Sequence, residues 1–437
     1  MTYQDTISYL YNSAPLFQNI GAGAYKEGLS TTHFLDKYFE HPHTKFKTIH
    51  VAGTNGKGST SHTIAAILQS AGLKVGLFTS PHLVDFRERI RINGNMVPKE
   101  YVIEFVEKYR NIFEPLHPSF FELTTAMAFK YFADEEIDVA VVEVGLGGRL
   151  DCTNIITPEI SIITNISFDH VQFLGDTLEK IAREKAGIIK SNVPVVIGEY
   201  TDETKPVFKK KADEMGTSII FAEDETPILN YEFNDKGGID YETISGKLHG
   251  ELGGACQVKN AATILCAIDA LNRNADFAIT FKNVVYGFAH VCETTGLMGR
   301  WQVLNEKPKI VCDTGHNLGG FEYISKQLLS QKCKTLRIII GMVNDKDING
   351  VLELLPKNSV YYFTKASVNR ARNEQEVMQL ANQHGLYGEC FPNVMQAYYK
   401  ALDDASEDDF IYVGGSSFIV ADLLTSFKNE KKQKIFA

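Results

Sequence analysis

This chain has no C-x-x-C pair, no apolar run as long as a membrane span, and fewer lysines and arginines than aspartates and glutamates, 44 against 54. Each shortage excludes something. A spanning helix needs about 20 consecutive apolar residues, so no membrane segment is expected. A formal charge of −10 argues against a protein held to nucleic acid by a broad basic face. Anionic ligands must then be bound by local groups. The seven cysteines, Cys152, Cys256, Cys266, Cys292, Cys312, Cys333 and Cys390, are scattered and odd in number. They read as reduced thiols in a cytoplasmic protein. The opening "MTYQDTISYLYNSAPLFQNI" has neither a basic leader nor a continuous apolar core, so no signal peptide is expected. There is no internal repeat.

What is present is a long chain of ordinary globular composition, 44% hydrophobic and 22% charged over 437 residues, which points to two domains. Between residues 46 and 200, "FKTIHVAG", "KVGLFTS", "DVAVVEVGLGG", "EISIITNIS" and "VPVVIGE" read as buried strands, most of them separated by amphipathic stretches. The order predicts an α/β fold with a mainly parallel sheet and helices on both faces. Around 223–254, "YEFNDKGGIDYETI" alternates apolar and polar residues about a turn, which predicts a hairpin on the same domain, followed by a helix at "NAATILCAIDAL". A second alternating series, "KIVCDTG", "LRIIIGM", "VYYFTKA" and "DFIYVGG", predicts a smaller Rossmann-like α/β domain. Its helices are expected near 317–330, 348–355, 373–383, 393–405 and 417–428. The joint falls in "CETTGLMGRW", residues 292–301, giving domains of 1–295 and 296–437. "KNEKKQKIFA" reads as a frayed helix and tail.

Chemistry gathers at strand ends. "VAGTNGKGSTSHT", residues 51–63, follows the first strand and opens a helix, the setting in which backbone N–H groups and a helix amino end face phosphate oxygens. Its spacing is displaced from G-x-x-x-x-G-K-[ST], with Val51 at the first glycine and Gly58 directly after Lys57. Lys57 offers a point charge to terminal phosphates. Ser80 in "TSPH", Glu143 in "VVEVGLGG" and His170 in "ISFDH" also lie just past strands, where open parallel sheets bind ligands. Hydroxyl, carboxylate and imidazole could together ligate Mg2+, although imidazole is an atypical ligand for so hard an ion, and taken singly Ser80 is more often a turn residue and His170 a hydrogen-bonded loop histidine. Glu143 interrupts an apolar run, where an unpartnered carboxylate is costly. In "TLEKIAREKAGIIK" the apolar face Leu178, Ile181, Ala182 and Ile189 also carries Lys185. Such a lysine either snorkels to solvent or is buried for reactivity or metal-site support. In the second domain, Asp313, His316 and Asn317 in "CDTGHNLGG" and Ser416 and Ser417 in "YVGGSSF" stand at strand-to-helix turns, Asn317 as a helix cap. Arg300, near the joint, reads as a phosphate-facing guanidinium.

These residues resemble the folylpolyglutamate synthase and dihydrofolate synthase family, within the ATP-dependent amide ligases that include the muramyl peptide ligases. "IHVAGTNGKGSTSHTIAAILQSAG" and "VVEVGLGGRLDCTNII" carry the resemblance, and "TSPHL", "FFELTTAMAF", "NISFDH", "EKAGIIK", "GRW", "DTGHN" and "GGSSF" add to it in order. The glycine after Lys57 resembles the folate branch rather than the muramyl branch. The resemblance implies that Asn55, Gly56, Lys57, Gly58 and Ser59 bind ATP phosphates and that Ser80, Glu143 and His170 hold Mg2+. It further implies that Lys185 is carbamylated and supports a second metal ion. Asn260, Arg300 and Asp313 match nucleotide-binding positions of the linker region and second domain. His316, Ser416 and Ser417 match candidates for the incoming L-glutamate. Ser119, Phe120, Phe121 and Glu122, with Leu150, Asp151 and Cys152, fall in the implied pterin region. Cys256 stands where many relatives have His, and Thr31 where some bifunctional relatives have Arg.

The implied reaction is that of an ATP-dependent carboxylate–amine ligase, a dihydrofolate synthase or tetrahydrofolate synthase. A carboxylate of dihydropteroate or a reduced folate attacks the γ-phosphate to give an acyl phosphate, and the glutamate amine displaces phosphate. Mg2+ and Lys57 offset the charge of the transferring group. Lys57, Lys185 and His316 are the expected catalytic residues, and no Ser/His/Asp or Cys/His nucleophile arrangement is visible. A monomer is expected. The alternatives are a muramyl-type ligase, a nucleotide-binding module without turnover, or a simple ATP hydrolase.

Overall fold

The apolar run from Lys47 becomes the middle of a sheet, since every residue after the first is buried, as in a strand covered on both faces. In the computed structural model, which describes residues 1–13, 28–234, 236–274, 277–344 and 346–436, the chain divides into two units. The first comprises Met1–Glu232, Ile239–Glu251 and Gln257–Leu297; the second comprises Phe233–Gly238, Leu252–Cys256 and Met298–Ala437. Part of the amino-terminal stretch, Asp235 of the expected hairpin and Ala437 lie outside the described residues.

The first unit holds an eight-stranded sheet. Its strands are β1 (Lys47–Ala52), β2 (Val75–Phe78), β3 (Ile90–Ile92), β4 (Asn95–Met96), β5 (Val139–Glu143), β6 (Ile160–Ile163), β7 (Val195–Ile197) and β8 (Ile219–Phe221). Their order is β4-β3-β2-β5-β1-β6-β7-β8. From β2 to β8 the pairs are parallel, and β3 and β4 extend the edge antiparallel. The loops after β2, β5, β1 and β6 therefore leave the sheet side by side.

Helices cover both faces: α1 (Tyr3–Ser13), α2 (Ser30–Tyr38), α3 (Lys57–Ser70), α4 (Lys99–Phe113), α5 (Phe120–Asp134), α6 (Leu178–Ala186), α7 (Lys205–Met215), α8 (Gln257–Asn274) and α9 (Phe281–Ala289). Strand alternation sorts the core. Leu77 and Val141 pack with Ile64 of α3 and Ile264 of α8, whereas their neighbours Phe78 and Val142 face Phe105 of α4 and Phe129 of α5. The segment after the first strand reads as an amphipathic helix, but α3 is buried all round from Gly58 to Leu68. The reason is close cover by α9, where a Cβ on Gly287 would lie 2.7 Å from the Ile67 nitrogen.

β9 (Ile228–Phe233), β10 (Ile239–Thr243) and β11 (Gly246–Gly250) form a small sheet in which β10 and β11 pair antiparallel. The expected hairpin is thus a three-stranded sheet, and it does not belong wholly to the first unit. Phe233–Gly238 and Leu252–Cys256 group with the second. Within that unit Gln327 holds the Leu252–Cys256 segment, its Nε2 donating to the Gly253 carbonyl at 2.7 Å and its Oε1 accepting from the Ala255 N–H at 2.7 Å.

The second unit has a six-stranded sheet, ordered β12-β13-β17-β14-β15-β16. The strands are β12 (Gln302–Glu306), β13 (Lys309–Cys312), β14 (Leu336–Ile340), β15 (Val360–Phe363), β16 (Gly388–Cys390) and β17 (Phe410–Gly414). All neighbours are parallel except β12 against β13. Its helices are α10 (Leu318–Leu329), α11 (Ile348–Leu354), α12 (Glu374–Gln383), α13 (Val394–Asp403) and α14 (Ser417–Phe436). The edge strands β12 and β16 add to the four expected, and α14 runs on to Phe436, through the stretch expected as a frayed helix and tail.

Candidate active site

β1 ends at Ala52, and the chain turns through residues 53–56 into α3. Two glycines make the turn possible. Gly53 (φ 145°) and Gly56 (φ 83°) occupy backbone conformations that side chains rarely adopt. A Cβ at Gly53 would also fall 1.8 Å from Thr164 Oγ1, and one at Gly56 2.3 Å from Asn260 Oδ1. The loop is stitched to the segment after β6. The Thr54 N–H donates to the Asn165 carbonyl at 3.0 Å, and the Asn55 N–H to Asn165 Oδ1 at 2.9 Å. The first turn of α3 then presents N–H groups that have no partner within the helix, an arrangement suited to anionic oxygens.

Two lysines close on this loop. Lys57 Nζ donates to the carbonyls of Gly53 at 2.9 Å and Thr54 at 3.1 Å. Lys185 Nζ, on α6, donates to the same Gly53 carbonyl at 3.0 Å. Lys185 does not snorkel to solvent. It is 3% exposed, and burial, aided by the Lys57 charge, pushes its amine down to about 7. Ile181, Ala182 and Ala186 are buried beside it on α6. Ile189, expected on the same helical face, lies past the end of α6 and is buried there. The Arg149 N–H donates to the Glu184 carbonyl at 2.8 Å, and Asn154 Nδ2 donates to the carbonyls of Arg149 and Gly187, both at 3.1 Å. The 149–154 stretch thereby fixes the end of α6 that carries Lys185.

Glu143, the last residue of β5, is 3% exposed, and its Oε2 accepts the Ser80 N–H at 3.0 Å. The structure thus brings Ser80 and Glu143 together. His170 lies beyond β6 with φ 50°, its N–H donating to Asp169 Oδ1 at 2.8 Å, and the Asp169 charge acts on Lys185. Beside Glu143 is a group that sequence reasoning did not single out. Arg89, 3% exposed, donates through Nε to His82 Nδ1 at 2.8 Å, and His82 Nε2 lies 3.1 Å from the Tyr11 hydroxyl. Burial pushes the Arg89 guanidinium down to about 10, with Tyr11 and Glu143 opposing the shift, and pushes His82 down to about 3. In "RERIRI" Arg89 looks like one more exposed charge.

The residues of the implied pterin region have structural partners. Ser119 and Glu122 form a capping box at the start of α5, with the Ser119 N–H donating to Glu122 Oε2 at 2.7 Å and the Glu122 N–H to Ser119 Oγ at 3.2 Å. Phe120 is in the core beneath the Arg89 guanidinium, 5.1 Å from its ring centroid. Phe121 is half-buried, its ring packed where a Cβ on Gly145 would stand. Asp151 is buried, and its carboxylate accepts the N–H groups of Leu146 at 2.9 Å and Thr153 at 3.0 Å, shaping the loop after β5. Burial raises the Asp151 carboxyl and the Cys152 thiol. Leu150 and Cys152 are half-buried.

In the second unit, Asp313 follows β13 and accepts the N–H groups of Trp301 and Gly315, both at 2.7 Å. Burial raises its carboxyl against the pull of Arg300. Arg300 also donates to Thr314 Oγ1, and His316 Nδ1 lies 3.0 Å from the Thr314 carbonyl. Asn317 caps α10, accepting the Gly320 N–H at 2.9 Å. Ser416 is buried before α14 and its Oγ accepts the Phe418 N–H at 3.2 Å, while Ser417 is half-buried.

Asn260 belongs not to a linker but to α8 in the first unit, where its Nδ2 donates to Gln257 Oε1 at 2.9 Å. Gln257 in turn donates to Ser59 Oγ at 3.2 Å. Its signal in the sequence is its place three residues, about one turn, before Asn260.

The family description Mur ligase middle domain matches residues 51–268, and Mur ligase, glutamate ligase domain matches residues 299–417. The dihydrofolate synthase/folylpolyglutamate synthase of Escherichia coli (strain K12) is 33% identical over 381 residues, 86% of this chain and 85% of its own. The chain belongs to the dihydrofolate synthase/folylpolyglutamate synthase family. E. coli FolC in complex with DHPP and ADP superposes with a TM-score of 0.82 at 29% identity, covering 99% of both chains. A bifunctional folylpolyglutamate synthase/dihydrofolate synthase with Mn, AMPPNP and L-glutamate bound does so with a TM-score of 0.80 at 28% identity, covering 98% of both. As a folylpolyglutamate/dihydrofolate synthase family member, the chain is an ATP-dependent ligase of folate metabolism. Among its described residues no helix is long and apolar enough to cross a membrane.

Proposed function

We propose that the chain joins the amino group of L-glutamate to the carboxylate of dihydropteroate, of a reduced folate, or of both. The observation that carries this reading is the phosphate-type loop with Lys57 and Lys185 on one carbonyl, in the unit that also holds the Ser80–Glu143 pair. Residues 55–59 bind the ATP phosphates, and the substrate carboxylate takes the γ-phosphoryl group to give an acyl phosphate and ADP. Attack by the glutamate amine then forms the amide and releases phosphate. Lys57 leaves its loop carbonyls for phosphate oxygens and offsets their charge.

Ser80, Glu143 and His170 hold the divalent ion. Glu143 keeps a buried carboxylate beside Ser80, whose N–H it accepts at 3.0 Å, and a bound cation would offset the cost of burying that charge, which supports a role as a ligand. A bound Mg2+ supplies charge neutralisation to the transferring group. An amine held near 7 is substantially neutral at neutral pH, so Lys185 can add to CO2, forming a nitrogen–carbon bond and losing a proton. The resulting carbamate supports a second ion. Asn260, Arg300 and Asp313 bind nucleotide. His316, Ser416 and Ser417 bind glutamate, and the Ser119–Glu122 and Leu150–Cys152 stretches face the pterin. The chain acts as a monomer in the cytoplasm, and its seven free cysteines agree with a reducing compartment.

The test is purified protein with Mg-ATP and glutamate, offered dihydropteroate and tetrahydrofolate separately, with ADP and amide both measured. One ADP per amide with at least one acceptor is expected. ADP without amide would mean a hydrolase.

A further inference from the structure

We propose that Asp36, His41 and His43 form a binding site for a transition-metal ion of the Zn2+ class, which clips the end of α2 to the segment leading into β1. The three side chains offer ligand atoms that all lie within 4.8 Å of one another. One carboxylate serves both rings. Asp36 Oδ2 lies 2.6 Å from His41 Nδ1, and Asp36 Oδ1 lies 2.6 Å from His43 Nδ1.

Burial and charge fit an ion. The Asp36 side chain is 6% exposed, and among the described residues its ion-pair partners are these two histidines, with no lysine or arginine. A buried carboxylate without a permanent cation calls for one, either on the imidazoles or in a bound ion. The backbone is shaped to the same end. Glu40 (φ 60°) and His41 (φ 53°) are consecutive non-glycine residues in the left-handed region, a conformation that folds the chain back so that the His41 ring reaches Asp36. Pro42 begins the short 3-10 turn Pro42–Thr44 that carries His43.

The donor set selects the ion. Two imidazoles and a carboxylate suit zinc better than magnesium or calcium. Three protein ligands leave a fourth tetrahedral position, which faces water here because the His41 side chain is 56% exposed. Ligand atoms about 2.1 Å from zinc stand about 3.4 Å apart in a tetrahedron, farther than the 2.6 Å between each ring and the Asp36 oxygen it faces, so a ring that shares its oxygen with the ion has to draw back to admit it. His41 is free to do so at the surface. Since α2 and Pro42–Thr44 both pack on α5, the ion would fasten the cover of that helix.

The test uses the full-length protein, stripped with a chelator and then saturated with Mg2+ and ADP. Zn2+ is titrated calorimetrically, and Co2+ serves as the absorbing probe of geometry. The parent should bind one Zn2+ that His41→Ala/His43→Ala loses by about 100-fold in affinity, with a tetrahedral Co2+ spectrum in the parent only. Zn2+ should also raise the Tm of the parent but not of His41→Ala, whose exposed ring can be removed without unfolding the chain. Equal uptake by parent and double variant would overturn the proposal by placing the ion elsewhere. No uptake by either would overturn it too, leaving the three side chains as a hydrogen-bonded cap on α2. Neither result bears on the ligase reading.

Discussion

Lys57 and Lys185 share one acceptor, the Gly53 carbonyl, at 2.9 and 3.0 Å. Two cations cannot both be comfortable there, and the Lys57 charge adds to burial in holding the Lys185 amine near 7. The sharing ties the loop that grips phosphate to the amine on α6, so their chemistry is linked.

Replacement of Lys185 by Ala should lower kcat by about 100-fold or more, the scale of losing one group that stabilises developing charge. Nucleotide affinity should change little, because Lys57 and the loop remain. Added bicarbonate should not restore turnover, since no amine is left to take up CO2. Steady-state kinetics with a circular-dichroism check on folding would show this, and an unchanged kcat would remove Lys185 from the mechanism.

Gly56→Ala tests the loop itself. The alanine would sit at φ 83° with its Cβ 2.3 Å from Asn260 Oδ1, so either the turn or Asn260 must move. A strained left-handed residue costs about 1–3 kcal/mol, which corresponds to a nucleotide affinity lower by about 5- to 150-fold if the loop relaxes when empty. Titration with ADP should show the loss, while Tm should change little because the loop lies past the end of β1 and is only half-buried from Thr54 to Lys57. A large fall in Tm with unchanged ADP affinity would place the strain in the fold instead.

The acid limb of the stability curve should carry the mark of His50. This residue is fully buried in β1, its Nε2 lies 2.8 Å from Thr153 Oγ1, and burial pushes it down to about 3 from 6.5. Between those values the unfolded chain binds a proton that the folded chain refuses. Stability is therefore complete above pH 6.5 and falls as the pH drops toward 3, by about 1.4 kcal/mol per unit for one proton. His82 follows the same sign and window. Urea unfolding between pH 4.5 and 7 should give a slope that His50→Gln reduces by about one proton, and an equal slope in parent and variant would contradict the assignment.

The sequence announced the strands whose residues are apolar throughout, and with them the loop, since "VAGTNGKGST" needs no distant partner to be read. It hid what depends on neighbours. α3 carries Ser59, Thr60, Ser61 and Thr63, which look like an exposed face until α8 and α9 cover them. Arg89 sits in a charged stretch and is buried among groups remote from it in sequence, with Phe120 under its guanidinium. β3, β4 and β16 are too short for a period of two to show. The place of Gln257 one turn before Asn260 does not reveal its hydrogen bond to Ser59, and the Asp36, His41 and His43 group carries no spacing that stands out, because its members meet through a left-handed turn at a histidine.

Ser119 offers the sharpest separation of structural from substrate roles. Both of its hydrogen bonds belong to the capping box of α5, with Glu122 as the reciprocal partner. Loss of a serine cap costs about 1 kcal/mol, so Ser119→Ala should lower the stability of the first unit by that amount and Glu122→Gln by less, because glutamine can still accept the Ser119 N–H. Neither should move the KM for dihydropteroate more than about twofold if the box is their whole task, a shift of about 0.4 kcal/mol. Phe121 is different. Its half-buried ring rests on the glycine after Val144, so Phe121→Ala should raise that KM by about tenfold if the pterin stacks there. Stability by urea unfolding and KM by initial rates, measured on the same three variants, decide the matter. A raised KM in Ser119→Ala with stability intact would make its hydroxyl a substrate contact, and the capping box a geometry that the bound pterin opens.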